Sequence, residues 1–448
     1  ISWIKNIEIK GIVSIDTETT SIDAVSAELV GISLSIEPGN AIYIPLNHKS
    51  KEGGLIADKI NQLDTDLVLS LLKPILEDVS IIKIGQNIKY DMTILYNAGD
   101  INIYPYHDTM LMSFALDAGK QSGHGMDSLS KKHLNITTIS YSEITGKGKD
   151  QVTFDYVTLE KALEYAAQDA DITLRLYLFL KDRLVRENMV SLYETIERPL
   201  PNVIAYMERN GVGINSNYLK NLSSIFINKM NPIKEKIFNL ADEEFNISSP
   251  KQLAEILYNK LGLKGGKKGK SGLYSTSAAV LEKLSQDGNE ICELILEWRA
   301  LQKLKSTYSD ALVDQINPIT KRVHTHFQMT GAMTGRFSSS NPNLQNIPIK
   351  TEDGRAIRRA FIAEENKKIV ACDYSQIELR LLAEVANIES LIKAFKNNVD
   401  VHTLTASQVF MVDKENVTSE MRRNAKTINF GIIYGQSAFG LAKQLNIS

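Results

Sequence analysis

The first third of the chain alternates apolar and polar residues with a period of two. Gly11-Ile-Val-Ser-Ile-Asp16-Thr-Glu18-Thr-Thr reads as a strand with Asp16 and Glu18 on one face. Leu29 to Ile36 and Ala41 to Pro45 follow as two more strands, and this quick succession predicts a meander with an antiparallel portion. Ile81-Ile-Lys-Ile-Gly85 is apolar enough for a buried strand. It runs into Asn87 to Gly99, where the apolar spacing turns helical and Gly99 supplies a stop. Thr158 to Tyr177 is expected to be a long amphipathic helix carrying Tyr165, Asp169 and Asp171. Strands first and helices after predict an α/β, nuclease-like lobe.

From residue 186 the period is helical. Arg198 to Gly211 and Ser248 to Gly262 read as helices closed by glycine, the second with Pro250 near its start. Lys264-Gly-Gly-Lys-Lys-Gly-Lys270 is a basic loop that composition alone assigns to a solvated linker. Further on, Ile369 to Cys372 is a short apolar run expected to form a buried strand, with Asp373 at its end and a helix over Ile377 to Ala386. A carboxylate at the tip of a buried strand needs a partner, so Asp373 is either the N-cap of that helix or a cation ligand. The segment His324 to Pro348 is long, polar and rich in Thr, Ser, Asn, Gln and Gly. Such donors suit phosphates and minor-groove acceptors. Asp400 opens one more helix, and Glu420 to Tyr434 forms another.

Composition limits the possibilities. With 448 residues, 43% hydrophobic and 23% charged, the chain is long enough for two to four globular domains. No apolar run approaches the roughly 18 residues of a membrane span, so no membrane association is expected. Two distant cysteines, Cys292 and Cys372, fit a reducing compartment. The start, Ile1-Ser-Trp-Ile4, has no initiator Met and no signal-peptide pattern, which suggests a fragment or a processed chain. Charge is uneven: residues 321–448 hold 17 Lys/Arg against 12 Asp/Glu, and residues 1–320 hold 34 against 41. A basic back half attracts phosphate, though a solvated surface explains so small an excess nearly as well.

Two constellations carry chemistry. Asp16 and Glu18 share a strand face, Asp91 sits early on a helix after a buried strand, Asp169 lies on a helix beside apolar residues, and converging carboxylates suit Mg²⁺ or Mn²⁺. Two such ions serve phosphodiester hydrolysis, with Tyr165 placed to orient the water. On the Glu420 helix, Arg422, Lys426, Phe430 and Tyr434 recur every four residues. Two cations followed by two rings fit a nucleotide clamp, the cations for a triphosphate and a ring for the base.

Asp16-Thr-Glu-Thr19, Gly85-Gln-Asn-Ile-Lys-Tyr-Asp91 and Tyr165-Ala-Ala-Gln-Asp169-Ala-Asp171 resemble the three motifs of the 3′→5′ proofreading exonuclease in the bacterial DNA polymerase I family (family A DNA polymerases). The resemblance implies an RNase H-like fold with four acidic metal ligands and a tyrosine, all present here. It also implies that Gln86 and Asn87 lie near the frayed primer end; Asp171 is expected at the surface. The basic loop, with Lys267 and Lys268, would then be a thumb tip that grips duplex phosphates. Thr334-Gly335-Arg336 and Pro342-Asn343-Leu-Gln345-Asn-Ile-Pro348 resemble the minor-groove segment, implying DNA contacts at Arg336, Asn343 and Gln345. The Glu420 helix resembles the fingers helix, Arg-x-x-x-Lys-x-x-x-Phe-x-x-x-Tyr-Gly.

That resemblance implies roles at the polymerase site. Lys426 would act as electrostatic partner and general acid for pyrophosphate, His402 as a phosphate contact, and Arg422 and Tyr434 as nucleotide contacts. Gln376 and Glu378 would line the nucleotide site, with Glu378 blocking a ribose 2′-OH. Phe430 would imply discrimination against dideoxynucleotides, and Asp373 would be a metal ligand. The family's second palm carboxylate lies in a His-Asp-Glu motif beyond the fingers helix, which this chain does not contain.

The implied architecture is multidomain α/β and α+β, a Klenow-type arrangement. An RNase H-like exonuclease domain (1–185) precedes a helical thumb (186–310), the first part of a palm (311–400) and the first part of the fingers of a right-hand polymerase (401–448). The expected function is a DNA-directed DNA polymerase with a proofreading exonuclease for replication and repair, with two Mg²⁺ or Mn²⁺ ions per active site. Its expected partners are primer–template DNA, a single-stranded DNA 3′ end and dNTP. A monomer in the bacterial cytoplasm, near the nucleoid, is expected. A stand-alone 3′→5′ exonuclease with a DNA-holding C-terminal lobe and a non-catalytic DNA-binding module stay open at this stage.

Overall fold

The computed structural model describes residues 1–50, 60–120, 123–264, 272, 274–349 and 351–445. Lys267, Lys268 and Lys270 of the predicted basic loop lie outside these. The chain divides into two compact units, Ile1–Lys367 and Lys368–Ser448. Among the described residues, no helix is long and apolar enough to cross a membrane.

In the first unit, Ile12–Thr19 (β1), Leu29–Glu37 (β2) and Asn40–Pro45 (β3) form the predicted antiparallel meander. Ile82–Gly85 (β4) adds to the other side of β1 in parallel. Lys89–Gly99 (α1) follows it, and Tyr106–Asp108 (β5) completes a sheet of order β3-β2-β1-β4-β5. Asp100, at φ 50°, takes the left-handed position that closes α1, so the stop falls one residue after the expected Gly99. A short polar side chain tolerates that conformation.

Thr109–Asp117 (α2) starts on Asp108, whose carboxylate accepts from the Met110 and Leu111 amides. Leu159–Arg186 (α3) lies across the sheet, and its small buried residues Ala162, Ala166 and Ala170 allow a close approach. Asp171, expected at the surface, is half-buried: it accepts from the Gly39 amide in the β2–β3 turn and from Arg175 Nε.

Leu200–Asn210 (α4) ends at Gly211, φ 59°. A Cβ there would stand 2.6 Å from the Val323 carbonyl oxygen, so this stop requires glycine both for its φ and for its space. Val212–Ile214 (β6), the helices Ser216–Ala241 (α5) and Glu290–Leu304 (α6), and the short strands Arg322–Val323 (β7), His326–Gln328 (β8), Ser338–Ser340 (β9) and Phe361–Ile362 (β10) follow. β6 is central in a three-stranded sheet, β10-β6-β7, while β8 and β9 pair as a hairpin. Leu219, Phe226 and Ile237 of α5 share one core with Ile295 and Trp298 of α6, and with Val323 and Ile357. A second core joins the nuclease-like lobe to the hairpin: Ile84, Leu111 and Met112 pack with Ile204 and Met329, and Phe327 and Phe337 lie against them.

In the second unit, Ile377–Val385 (α7), Val401–Phe410 (α8) and Ser419–Ile433 (α9) surround a small core of Leu379, Ala394 and Val401. The strand expected over Ile369 to Cys372 is absent. Residues 368–374 form no helix or strand, and Ile369 and Val370 are 60% and 79% exposed. An apolar run becomes a strand only when a neighbour takes up its N–H and C=O groups, and among the described residues no strand pairs with this one.

Candidate functional site

The acidic site grows from the end of β1. Alternation puts Asp16 and Glu18 on one side of the strand, and i, i+4 spacing on α3 aligns Tyr165 with Asp169. One carboxylate oxygen from each of Asp16, Glu18 and Asp169 lies within 4.8 Å of the others. Asp91, predicted as a fourth ligand, stands beside this trio rather than within it. β4 pairs with β1 only as far as Ser14, which leaves the Thr17 amide without a strand partner on that side. The Thr17 amide (2.9 Å) and hydroxyl (2.6 Å) both donate to Asp91 Oδ1.

Gathering carboxylates in a buried place strains their ionisation. Burial pushes Asp16 up to about 7. Burial, then the charges of Asp16, Asp169 and Asp91, holds Glu18 well above the usual carboxylate range. Asp91 and Asp169 are raised by burial and then by Asp16, against hydrogen bonds from Thr17 and Tyr165 respectively. Burial and the facing carboxylates push the Tyr165 hydroxyl up, so it stays a neutral donor to Asp169.

Glu18 Oε1 is buried with no hydrogen-bond partner. An orphaned buried carboxylate oxygen within a trio of converging acids fits a divalent cation, since hard ions take oxygen ligands and cancel the repulsion.

The sequence did not reveal what supports this cluster. Gly31, the register partner of Glu18, leaves room for the Tyr43 ring. The Tyr43 hydroxyl bonds His48 Nε2 at 2.7 Å, while His48 Nδ1 faces the Val157 carbonyl oxygen at 3.1 Å, so Nδ1 carries the proton and Tyr43 donates. The His48 and Tyr165 rings both pack against Phe154. Asp108 accepts from the Asn87 and Ile88 amides, fixing the turn (Asn87 φ 58°) that launches α1. An Asp ahead of an apolar helix was a readable cap signal; the Tyr43–His48 pair had none. Gln86 is half-buried and engaged within the protein: its Nε2 donates to the His124 carbonyl and its Oε1 accepts from Thr109.

Arg336 is exposed in the connection between β8 and β9, Asn343 and Gln345 are exposed in the segment that follows β9, and Gln345 Nε2 donates to the Phe337 carbonyl at 2.9 Å. In the second unit the predicted stripe is real. Phe430 and Tyr434 stack at 6.5 Å, Lys426 Nζ lies 6.0 Å from the Phe430 ring centre, and His402 packs 5.9 Å from Phe430. Arg422 Nε donates to Asp400 Oδ2 at 2.6 Å, and Asp400 caps α8 through the His402 amide. Asn429 reaches His402 Nδ1 at 3.1 Å. Gln376 holds the N-cap position of α7 at φ 53°, with its Oε1 buried and unpartnered, and half-buried Glu378 lies in the first turn. Asp373 is exposed, is not the cap, and belongs to no carboxylate group among the described residues.

A buried acidic cluster on a five-stranded mixed sheet defines a nuclease-like domain at the front of the chain. Residues 2–185 match the 3′-5′ exonuclease family, and residues 216–448 match DNA polymerase family A. The chain belongs to DNA polymerase family A. It is 50% identical over 456 residues to DNA polymerase I of Rhizobium leguminosarum, covering 99% of this chain and 45% of that protein. It is 46% identical over 450 residues to DNA polymerase I of Pseudomonas aeruginosa, covering 100% and 48%. The chain thus spans just under half the length of these relatives. The polymerase domain of Pol1 from M. smegmatis, in complex with DNA primer-template and dNTP, superposes with a TM-score of 0.81 at 29% identity, covering 100% of this chain and 72% of that one.

Proposed function

We propose that residues 1–185 remove nucleotides from a single-stranded DNA 3′ end, and that residues 186–448 contribute the thumb (186–310), first palm segment (311–400) and first fingers segment (401–448) of a DNA-directed DNA polymerase. The observation that carries this reading is the convergence of Asp16, Glu18 and Asp169, with Tyr165 one helical turn before Asp169. Acids are brought together in a buried place at a cost that a bound cation offsets while leaving them ionised. Mg²⁺ or Mn²⁺, two per active site, supply activation of water and stabilisation of the leaving oxygen when bound. Asp16, Glu18 and Asp169 would hold them, with Asp91 beside the trio. The Tyr165 hydroxyl, kept neutral by its surroundings, orients the attacking water. Asn87, on its fixed turn, is placed to meet the 3′-terminal nucleotide, and Gln86 shapes that turn from within.

On the polymerase side, Arg336, Asn343 and Gln345 contact the primer–template minor groove. Arg422, Lys426 and His402 receive the dNTP phosphates, with Lys426 donating a proton to the leaving pyrophosphate. Phe430 and Tyr434 offer stacking faces, and Gln376 and Glu378 line the sugar side. Asp373 is assigned as a metal ligand by the family resemblance alone. The match of residues 216–448 to the polymerase family favours this reading over a stand-alone exonuclease. A monomer acting in bacterial replication and repair, in the nucleoid-bearing cytoplasm, belongs to the same proposal. The polymerase half is tested in the full gene product: Lys426→Ala is expected to lower single-turnover dNTP incorporation at least about a hundredfold, and unchanged incorporation would refute the role.

A further inference from the structure

Lys89 and Glu208 are 119 positions apart in sequence, both buried, and they form an ion pair. Lys89 opens α1 two residues before Asp91, and Glu208 lies in the last turn of α4. Both ends of the pair also bind one residue of β8. Lys89 Nζ donates to the Phe327 carbonyl oxygen at 2.7 Å, and Glu208 Oε1 accepts from the Phe327 amide at 2.6 Å. His326 Nδ1 lies 3.3 Å from the same Nζ.

Phe327 is the middle residue of β8 and faces Ser339 of β9 in the hairpin register. A two-stranded hairpin leaves the outer N–H and C=O groups of each strand unpaired. Here the ion pair fills both outer groups of Phe327, occupying the place of a third strand. The connection between β8 and β9, residues 329–337, contains Arg336. A buried ion pair adds little net stability, because desolvation offsets most of its attraction. What it supplies, and an apolar pair does not, is polarity: a cation for the carbonyl and an anion for the amide fix the register of the hairpin against α1.

We propose that Lys89 and Glu208 are positioning residues for duplex DNA, an ion pair rooted in the exonuclease helix that holds the Arg336 hairpin at the height where it meets primer–template. Duplex binding by the polymerase half therefore depends on a residue of the nuclease half. The inference rests on the reading of Arg336 as a duplex contact.

The test is a double-mutant cycle in the full gene product, measuring affinity for a primer–template duplex and thermal midpoint. Lys89→Met combined with Glu208→Met removes both charges and keeps apolar volume. Its midpoint is expected to stay within a few degrees of wild type while duplex affinity falls about tenfold. Arg336→Ala is expected to weaken the duplex on the wild-type background and to add little to the methionine pair. Unchanged affinity in the methionine pair, or fully additive losses, would overturn the inference. If the methionine pair does not fold, Glu208→Gln, whose amide oxygen still accepts from Phe327, is compared with Glu208→Leu: retention in the first and loss in the second support the inference, and equal affinities overturn it. If Arg336→Ala alone leaves affinity intact, the duplex-contact reading itself fails. If Arg336→Ala weakens binding and the methionine pair does not, only the positioning role fails.

Discussion

Thr17 holds Asp91 by two hydrogen bonds, one from its amide and one from its hydroxyl, both to Oδ1. The contact ties α1 to β1 beyond the point where β4 stops pairing, and it sets how far Asp91 stands from the Asp16–Glu18–Asp169 trio. Thr17→Val keeps the shape and the amide bond but deletes the hydroxyl. Single-turnover degradation of single-stranded DNA is expected to fall about tenfold, the size of one hydrogen bond to a charged group, with little change in thermal midpoint. A variant as fast as wild type would show that Asp91 needs no such anchor.

The raised carboxylates make a signed prediction for metal-free protein. Asp16 titrates near 7 in the fold, above its unfolded value, so the folded state holds more protons than the unfolded state between those values. The stability tied to its protonated form is complete at low pH and is lost as pH rises through about 7. Asp16→Asn lacks this loss. In chelator, the difference in midpoint between Asp16→Asn and wild type is expected to grow in the variant's favour from pH 4 to pH 8, and saturating Mg²⁺ is expected to shrink it. A pH-independent difference would refute the assignment.

Much of this was readable from sequence, and what was not has a common cause. A period of two placed Asp16 and Glu18 on one face, and a period of 3.6 placed Tyr165 over Asp169 and aligned Arg422, Lys426, Phe430 and Tyr434. These are relations within one element, and local geometry sets them. Thr17–Asp91 and Lys89–Glu208 join residues 74 and 119 apart, which no period encodes. The strand expected over Ile369 to Cys372 failed for a related reason: apolarity was local, but a strand also needs a neighbour.

Lys83 has no place in the site but a large one in the fold. Fully buried in β4, its Nζ donates to the carbonyl oxygens of Asp78 (2.8 Å), Ile81 (2.7 Å) and Tyr104 (2.6 Å). Lys83→Met leaves those acceptors without their donor and is expected to cost at least ~2 kcal/mol, read as a lowered midpoint for the first unit. An unchanged midpoint would mean that water replaces the ammonium.

Gly31→Ala probes the floor of the acidic site. A Cβ at Gly31 would come within 2.1 Å of the Tyr43 hydroxyl oxygen, so the ring must leave and its bond to His48 must break. The expected result is a loss of about 1–3 kcal/mol together with slower exonuclease turnover. A stable, fully active variant would remove Tyr43 from the support of the site.

The central claim, that Asp16, Glu18 and Asp169 form a cation-dependent exonuclease centre, meets its most direct test in single-turnover digestion of 3′-labelled single-stranded DNA with Mg²⁺. Wild type is expected to release nucleotides from the 3′ end, to stop in chelator, and to lose at least about a thousandfold in rate on Asp16→Ala. No digestion by wild type, or digestion that survives Asp16→Ala, would contradict it.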